Sequence, residues 1–148
     1  MEFYVDGSCL GTGNGGFGIV GFENEKLIFA YSKRNENTTN NREEIRAILY
    51  VLLNYGYDNP IVYSDSAYCV NTFTSWIYNW ESKGWLKGDN KPPENLDLIQ
   101  AFWELLKTGR KIQLKKVKGH VGILGNELAD ALATGRTSPD KIKGEYNE

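Results

Sequence analysis

Four acidic residues occupy positions from which carboxylates could bind a metal ion. Asp6 and Asp65 each follow a short apolar run, so each is expected to end a strand. Carboxylates beside buried strands are costly unless they are paired or bind a metal. Glu44 and Asp130 fall in two segments with helical patterns. The chemistry open to such a group is the metal-assisted hydrolysis of a phosphodiester.

That chemistry gives a reason to consider the four residues together. Two divalent ions about 3.5–4 Å apart can activate water and neutralise the charge that develops on the phosphate, and Mg²⁺ prefers carboxylate oxygens. Taken singly, each aspartate could instead cap a turn, and a helical Glu44 or Asp130 could simply face solvent. Glu43, next to Glu44, is expected to point further toward solvent. Convergence of the four does not follow from the sequence alone.

The elements that must position these residues alternate between strands and helices. Strands are predicted over Glu2–Asp6, Phe17–Phe22, Leu27–Tyr31, Ile61–Tyr63 and Lys111–Val117. Helices are predicted over residues 40–55, 66–78, 96–106 and 126–134, the first capped by Thr39 or Asn40 and the third by Asn95. This order indicates an α/β fold with a mixed sheet and helices on its faces. Sites in such sheets gather at strand carboxyl ends near a switch in strand order.

Two glycine-containing patterns favour nucleotide binding at first sight, and both are rejected. Residues 11–16 fit GxGxxG, but a predicted strand follows them instead of the helix that a dinucleotide site needs. A flexible hairpin connection explains them better. Asp6-Gly7-Ser8 is similar to the phosphate loop of actin-like and sugar kinases, whose two lobes a chain of 148 residues cannot build.

Composition narrows the class of protein. The 148 residues suit one domain, and no apolar run approaches the roughly 20 residues of a membrane helix. No basic-then-apolar run opens the sequence, so secretion is not expected, and the two separated cysteines, Cys9 and Cys69, favour free thiols in a reducing cytoplasm. The net charge of −2 argues against a nucleic-acid partner, but metal binding by four acidic residues would leave fifteen others against seventeen basic ones. Weak, salt-sensitive binding is therefore expected.

From Phe3 to about Thr134, the chain resembles the type 1 ribonuclease H family. Six motifs in the family's order carry the resemblance: Val5-Asp6-Gly7-Ser8-Cys9, residues 38–44 (TTNNREE), Tyr63-Ser64-Asp65-Ser66, residues 76–85 with their tryptophans, Val117-Lys118-Gly119-His120 and residues 125–130 (GNELAD). The resemblance implies a ribonuclease H-like fold, with three antiparallel strands followed by two parallel ones in a five-stranded sheet. It also implies an endonuclease that cuts the RNA strand of RNA–DNA hybrids.

The resemblance assigns roles to the acidic residues. Asp6, Glu44, Asp65 and Asp130 would ligate two Mg²⁺ or Mn²⁺ ions. Glu44 would also approach the ribose 2′-hydroxyl beside the scissile phosphate, the group that distinguishes RNA from DNA. His120 would lie on a mobile loop and move protons or help to release product, tasks that suit a neutral imidazole.

The resemblance also implies a surface that holds the nucleic acid. Thr39 would bind a DNA phosphate, and Asn40 and Asn41 would touch bases in the minor groove. Tyr68 and Asn95 match further strand-holding positions. Residues 76–91, with Trp76, Trp80, Trp85 and the lysines Lys83, Lys87 and Lys91, are similar to the family's basic protrusion. Of the three tryptophans, Trp76 is expected to contact DNA, whereas the other two are expected to pack the helices together.

Several features depart from the family pattern. Glu81, Asp89 and Glu94 dilute the protrusion, and Ala67 stands where many relatives carry a glutamine that touches RNA. Both changes put affinity in doubt. The negative net charge and the diluted protrusion motivate a second hypothesis, a hybrid-binding module without activity. A third is a reverse-transcriptase domain or a nuclease of integrase or resolvase type. We expect residues 1–136 to form the catalytic domain, residues 137–148 to be a frayed polar tail, and the protein to be a monomer.

Overall fold

A five-stranded mixed sheet organises the fold. The computed structural model describes residues 1–118 and 123–146. The strands are β1 (Glu2–Cys9), β2 (Gly15–Glu23), β3 (Lys26–Asn35), β4 (Ile61–Ser64) and β5 (Gln113–Lys116). Their order across the sheet is β3-β2-β1-β4-β5. The first three strands pair antiparallel, and β4 and β5 join in parallel. The predicted α/β class and strand arrangement are therefore confirmed.

Helices cover both faces of this sheet. They are α1 (Asn40–Tyr55), α2 (Ala67–Asn71), α3 (Ile77–Ser82), α4 (Leu96–Lys107), α5 (Leu124–Thr134) and α6 (Pro139–Tyr146). A π-helical turn over Thr72–Trp76 joins α2 to α3, so the predicted single helix over residues 66–78 contains an irregular turn and runs on to residue 82. Such turns are rare and are often found at functional sites. Among the described residues, no helix is long and apolar enough to cross a membrane.

Apolar side chains form one cluster on each face of the sheet. The larger cluster includes Phe3 and Val5 of β1 with Ile45 and Ile48 of α1, all fully buried. These residues repeat every second position in the strand and every third in the helix, as the facing surfaces of a strand and a helix require. The smaller cluster, on the opposite face, consists of Val20, Leu27, Ala30, Leu132 and Ile142.

The C-terminal segment differs from its prediction. We expected a frayed polar tail, but Pro139–Tyr146 forms helix α6, which packs against β3. Ile142 is only 1% exposed and belongs to the smaller cluster. One apolar residue among polar ones is too weak a pattern to predict a helix, and the face that buries it exists only once the sheet has formed.

The strands also differ in length from their predictions. β2 and β3 extend beyond the apolar runs because backbone pairing continues through polar and glycine positions, as far as Gly15↔Asn35. β1 likewise runs past Asp6 to Cys9, still paired with β2. Asp6 therefore does not end its strand. β5 is shorter than predicted, covering only Gln113–Lys116.

Candidate active site

The strand register sets Asp6 and Asp65 side by side. β1 and β4 pair in parallel up to Tyr4↔Tyr63, and each aspartate lies two residues beyond that pair. Alternate residues of a strand point to the same face, so both carboxyl groups leave the sheet on the face of the stacked Tyr4 and Tyr63 rings, whose centroids are 4.8 Å apart. The parallel pairing with β4 ends here, although β1 itself continues.

Glu44 reaches this point from α1, which packs on the other face of the sheet. Gly7 makes the approach possible, because a Cβ atom there would lie 2.2 Å from the backbone nitrogen of Glu44. Any larger residue would push the helix away. Thr39 fixes the start of α1, since its hydroxyl accepts a hydrogen bond from the backbone of Arg42 at 3.1 Å. The predicted cap is therefore confirmed.

Asp130 comes from α5, which packs against β1 and β2. Close packing again depends on a glycine: Gly18 pairs with Asp6, and a Cβ atom at Gly18 would lie 2.4 Å from the carbonyl oxygen of Ala129. The helix can therefore rest almost directly on the backbone of β2. As a result, Asp130 lines the same cavity as the other three carboxylates.

The four predicted carboxylates meet in a cavity of about 320 Å³. Its lining consists of Asp6, Gly7, Ser8, Asn40, Asn41, Glu44, Asp65, Ser66 and Asp130. One carboxylate oxygen from each of Asp6, Glu44 and Asp65 lies within 4.8 Å of the others. Asp130 lines the cavity without belonging to this tight group. Three oxygen donors at such spacing fit a hard divalent cation.

Burial and mutual repulsion perturb the acidic cluster. Burial raises the pKa of Asp6 well above its usual range, and the negative charges of Glu44 and Asp65 raise it further. Burial also raises the pKa of Glu44, although a hydrogen bond from Ser64 opposes this shift. Carboxylates held so close together cannot all ionise without a compensating cation. The electrostatics of the cluster therefore also favour a metal site.

Ser64 contacts the acidic cluster at Glu44, although the sequence patterns do not single it out. Its hydroxyl, which is fully buried, donates a hydrogen bond of 2.6 Å to Oε1 of Glu44 and accepts one of 3.1 Å from the backbone of Ser66. Ser64 thereby links β4 to the glutamate of α1. Strand alternation could have revealed it, because Ser64 shares the face of Val62, which packs against the larger apolar cluster.

The turn into α1 lies at the edge of the acidic cavity. Asn40 and Asn41, both exposed, line the cavity beside the carboxylates. Oδ1 of Asn40 accepts a hydrogen bond of 2.5 Å from the backbone of Cys9, which ties the turn to the end of β1. Thr39 is also exposed at this turn. Three of the predicted nucleic-acid-binding residues are thus adjacent to the acidic cluster.

Tyr68 and Asn95 contact each other close to Arg42, in the first turn of α1. The amide of Asn95 donates to the Tyr68 hydroxyl at 3.1 Å and accepts from Nη1 of Arg42 at 3.4 Å. Asn95 occupies the N-cap position of α4, as predicted, but its side chain makes no capping bond. Arg42, which we had not predicted, also forms an ion pair with Asp97 at 2.7 Å.

The three tryptophans of the predicted protrusion differ in their exposure to solvent. Trp80 and Trp85 are partly buried and pack against the larger apolar cluster, as expected. Trp76 is 42% exposed and ends the π-helical turn, with its ring centroid 5.9 Å from that of Trp80. It lies farther along the helix from Tyr68, outside the group around Asn95.

Glu43 contradicts its prediction, because its side chain is fully buried. It accepts hydrogen bonds of 2.7 Å from both Asn35 and Thr38, and it forms an ion pair with Arg46 at 2.5 Å. Gly7 lets the first turn of α1 lie close to the sheet. Asn35 and Thr38, which precede the helix, then cover the side of α1 that carries Glu43. Glu43 therefore braces the segment that carries the exposed asparagines.

One predicted catalytic residue, His120, lies outside the described residues. Both cysteines, by contrast, are described, and both are free as expected.

Comparisons with known proteins agree with this geometry. A sequence model of the family described as RNase H matches residues 1–138. Ribonuclease H of Haemophilus influenzae (strain 86-028NP) is 42% identical over 137 residues, 90% of this chain and 86% of the relative. Ribonuclease H of Agrobacterium fabrum is 40% identical over 147 residues, covering 95% of this chain and 97% of the relative. The solved PFV RNase H domain has a TM-score of 0.76 at 26% identity, over 89% of this chain and 90% of that domain. The chain belongs to the ribonuclease H family.

Proposed function

We propose that this protein is a metal-dependent endoribonuclease that hydrolyses the RNA strand of RNA–DNA hybrids, leaving 5′-phosphate and 3′-hydroxyl ends. Family membership supports the substrate and the type of reaction. The observation that carries the proposal is the convergence of Asp6, Glu44 and Asp65, whose oxygens lie within 4.8 Å of one another.

Asp6, Glu44, Asp65 and Asp130 would hold two Mg²⁺ ions, for which Mn²⁺ can substitute. When bound, such ions supply a Lewis acid for the phosphate and a water of lowered pKa. The protein's own part is to orient the carboxylates and to offer Glu44 to the 2′-hydroxyl of the RNA. The hydrogen bond from Ser64 supports that role, because it holds the carboxylate of Glu44 in place before substrate binds. His120 would move a proton or help the product to leave.

The substrate would lie across the turn into α1. Thr39 and Asn95 would hold the DNA strand, beside the helix start that favours phosphates. Asn40 and Asn41 would touch bases next to the acidic cavity, whose lining they share. Tyr68 would support Asn95 through their hydrogen bond. The exposed ring of Trp76 would contact the DNA strand farther along.

All of the proposed site residues fall within residues 1–136, which we propose to be the catalytic domain. Residues 137–148 would carry no catalytic or binding residue. We further propose that the protein acts as a monomer in the cytoplasm. Sedimentation measured with and without hybrid would test the oligomeric state.

Cleavage of a labelled RNA–DNA hybrid in the presence of Mg²⁺ tests the proposed function. Asp65→Asn should lower the rate at least ~100-fold, because a lost metal ligand removes several kcal/mol of transition-state stabilisation. Asp58→Asn is the matched control, since it changes an exposed aspartate in the short 3-10 helix Gly56–Asp58, which precedes β4. Its rate should equal that of the wild-type protein.

Parallel reactions with duplex DNA and duplex RNA separate the alternatives. Cutting of the hybrid alone supports the proposal, whereas efficient cutting of duplex DNA would favour a nuclease of integrase or resolvase type. Tight hybrid binding in EDTA without cleavage at any metal concentration would indicate a binding module. Equal rates for Asp65→Asn and wild type would refute the assigned site.

A further inference from the structure

The positively charged side chain of Arg136 contacts Asp130, one of the proposed metal ligands. Its Nη2 atom forms an ion pair with Oδ2 of Asp130 at the edge of the acidic cavity. Its Nε atom donates a second hydrogen bond, of 2.9 Å, to the hydroxyl of Thr134. The guanidinium group is therefore held by two contacts.

The end of α5 explains how Arg136 reaches back to Asp130. Gly135 has a φ of +79°, a left-handed conformation that suits glycine and reverses the chain at the helix end. The backbone of Arg136 then donates to the carbonyl of Ala131 at 2.9 Å. In a continuing helix, a residue at this spacing would point away from Asp130. The helix cap thus directs the arginine toward the cavity.

The two partners differ in their access to solvent. The Asp130 side chain is 21% exposed, whereas that of Arg136 is 63% exposed. The arginine can therefore swing into solvent without breaking any core contact. Asp130, by contrast, stays at the cavity, where its hydrogen bond and its charge help to raise the pKa of Asp6.

We propose that Arg136 competes with a divalent cation for Asp130: it neutralises the carboxylate in the metal-free protein and leaves when the metal binds. This inference rests on the proposed function, in which Asp130 is a ligand. Both cations require the same carboxylate, and a guanidinium so close to a bound ion would repel it. Because arginine does not deprotonate in proteins, the competition persists at every working pH.

Isothermal titration calorimetry of the protein with Mn²⁺ alone, without nucleic acid, tests this proposal. Arg136→Gln should bind Mn²⁺ about threefold more tightly than wild type, in line with the modest strength of exposed ion pairs. Lys107→Gln, which removes an equal charge from an exposed ion pair on α4, should not change the affinity. Low ionic strength should enlarge the difference, because salt screens exposed charges.

A double-mutant comparison shows whether the effect passes through Asp130. In an Asp130→Asn background, Arg136→Gln should no longer increase Mn²⁺ affinity. Equal affinities of wild type and Arg136→Gln would overturn the proposal. So would weaker binding by Arg136→Gln, which would identify the arginine as a support for the ligand. An increase that persists without Asp130 would also overturn it.

The same titration distinguishes this proposal from the proposed function. If wild type, Arg136→Gln and Lys107→Gln all fail to bind Mn²⁺, the metal site itself is wrong. If all three bind it equally and cleave the hybrid, only the role of Arg136 is wrong.

Discussion

The carboxylate of Glu44 is held by Ser64, a residue that takes no part in the proposed reaction. It is the carboxylate that α1 contributes to the tight group of three, and the buried Ser64 hydroxyl donates to it at 2.6 Å. Hydrogen bonds to charged groups contribute about 1.5–3 kcal/mol. We therefore expect Ser64 to act as a positioning residue for Glu44, although Ser64 itself carries no charge.

Removing this hydroxyl should affect turnover more than substrate binding. We expect Ser64→Ala to lower kcat about tenfold while KM for the hybrid stays within about twofold, because Glu44 is freed in its cavity and the nucleic-acid surface is untouched. Ser64→Thr keeps the hydroxyl and should restore most of kcat. Steady-state kinetics of the three proteins checks this, and a Thr variant as slow as the Ala variant would contradict it.

The acidic cluster should also make the metal-free protein less stable as the pH rises. A carboxyl group with a raised pKa keeps its proton in the folded state at pH values where the unfolded chain has released it. The free energy of unfolding therefore falls as the pH rises from the ordinary carboxyl pKa toward the raised one. Burial raises the pKa of both Asp6 and Glu44 in this way.

Asp6→Asn should remove part of this dependence. In EDTA, the wild-type protein should lose more stability between about pH 5 and pH 8 than the variant, and the variant should be more stable at about pH 8 by at least ~1 kcal/mol, roughly the equivalent of one pKa unit. Urea unfolding at the two pH values measures both quantities. Parallel pH dependences of the two proteins would count against the shifted pKa.

At the scale of elements, one irregular helix carries aromatic side chains that face solvent and others that pack inward. The segment from α2 through the π-helical turn to α3 presents Tyr68 near Asn95 and leaves Trp76 exposed, while Trp80 packs inward. An extra residue in a helical turn rotates the helix after the turn relative to the helix before it. The turn thus alters which face of α3 is exposed.

Substitutions of two neighbouring tryptophans should separate binding from stability. Trp76→Ala should weaken hybrid binding about fivefold to tenfold, since stacking on a base or sugar contributes about 1–3 kcal/mol, and it should change the free energy of unfolding little. Trp80→Ala should instead destabilise the protein by about 2 kcal/mol, because it opens a gap against the core. Filter binding in EDTA and urea unfolding measure the two effects. Unchanged hybrid affinity of Trp76→Ala would remove it from the binding surface.

At the scale of the whole molecule, the last helix completes the second face of the sheet. Ile142 of α6 packs with Leu132 of α5 and with Val20, Leu27 and Ala30 of the sheet. Because α5 carries Asp130, the same cluster that holds α6 also holds one wall of the acidic cavity. The C-terminal segment therefore contributes to the fold without contributing a proposed site residue.

Ile142→Ala should destabilise the protein by about 2–4 kcal/mol, the usual range for a fully buried isoleucine. Lys141→Ala, at an exposed position of the same helix, is the matched control and should change stability by less than about 0.5 kcal/mol. Urea unfolding compares the two. A wild-type value for Ile142→Ala would mean that the tail is frayed after all.

Local sequence patterns were sufficient for the parts of this protein that depend on neighbours along the chain. The apolar run of β1, the helical spacing of Ile45 and Ile48, and the Thr39 cap are all set by residues a few positions apart. The family motifs added the identity of the acidic residues. For these features, the periodicity of side chains is itself the physical cause of the structure.

Only the tertiary structure decided which of these residues meet. The register of β1 with β4 sets Asp6 beside Asp65, and Gly7 admits α1 so closely that Glu43 becomes buried. Neither contact can be predicted from a local sequence pattern, because each involves a backbone segment that is distant in the sequence. The same holds for Arg136, whose contact with Asp130 exists only because the chain reverses at the end of α5.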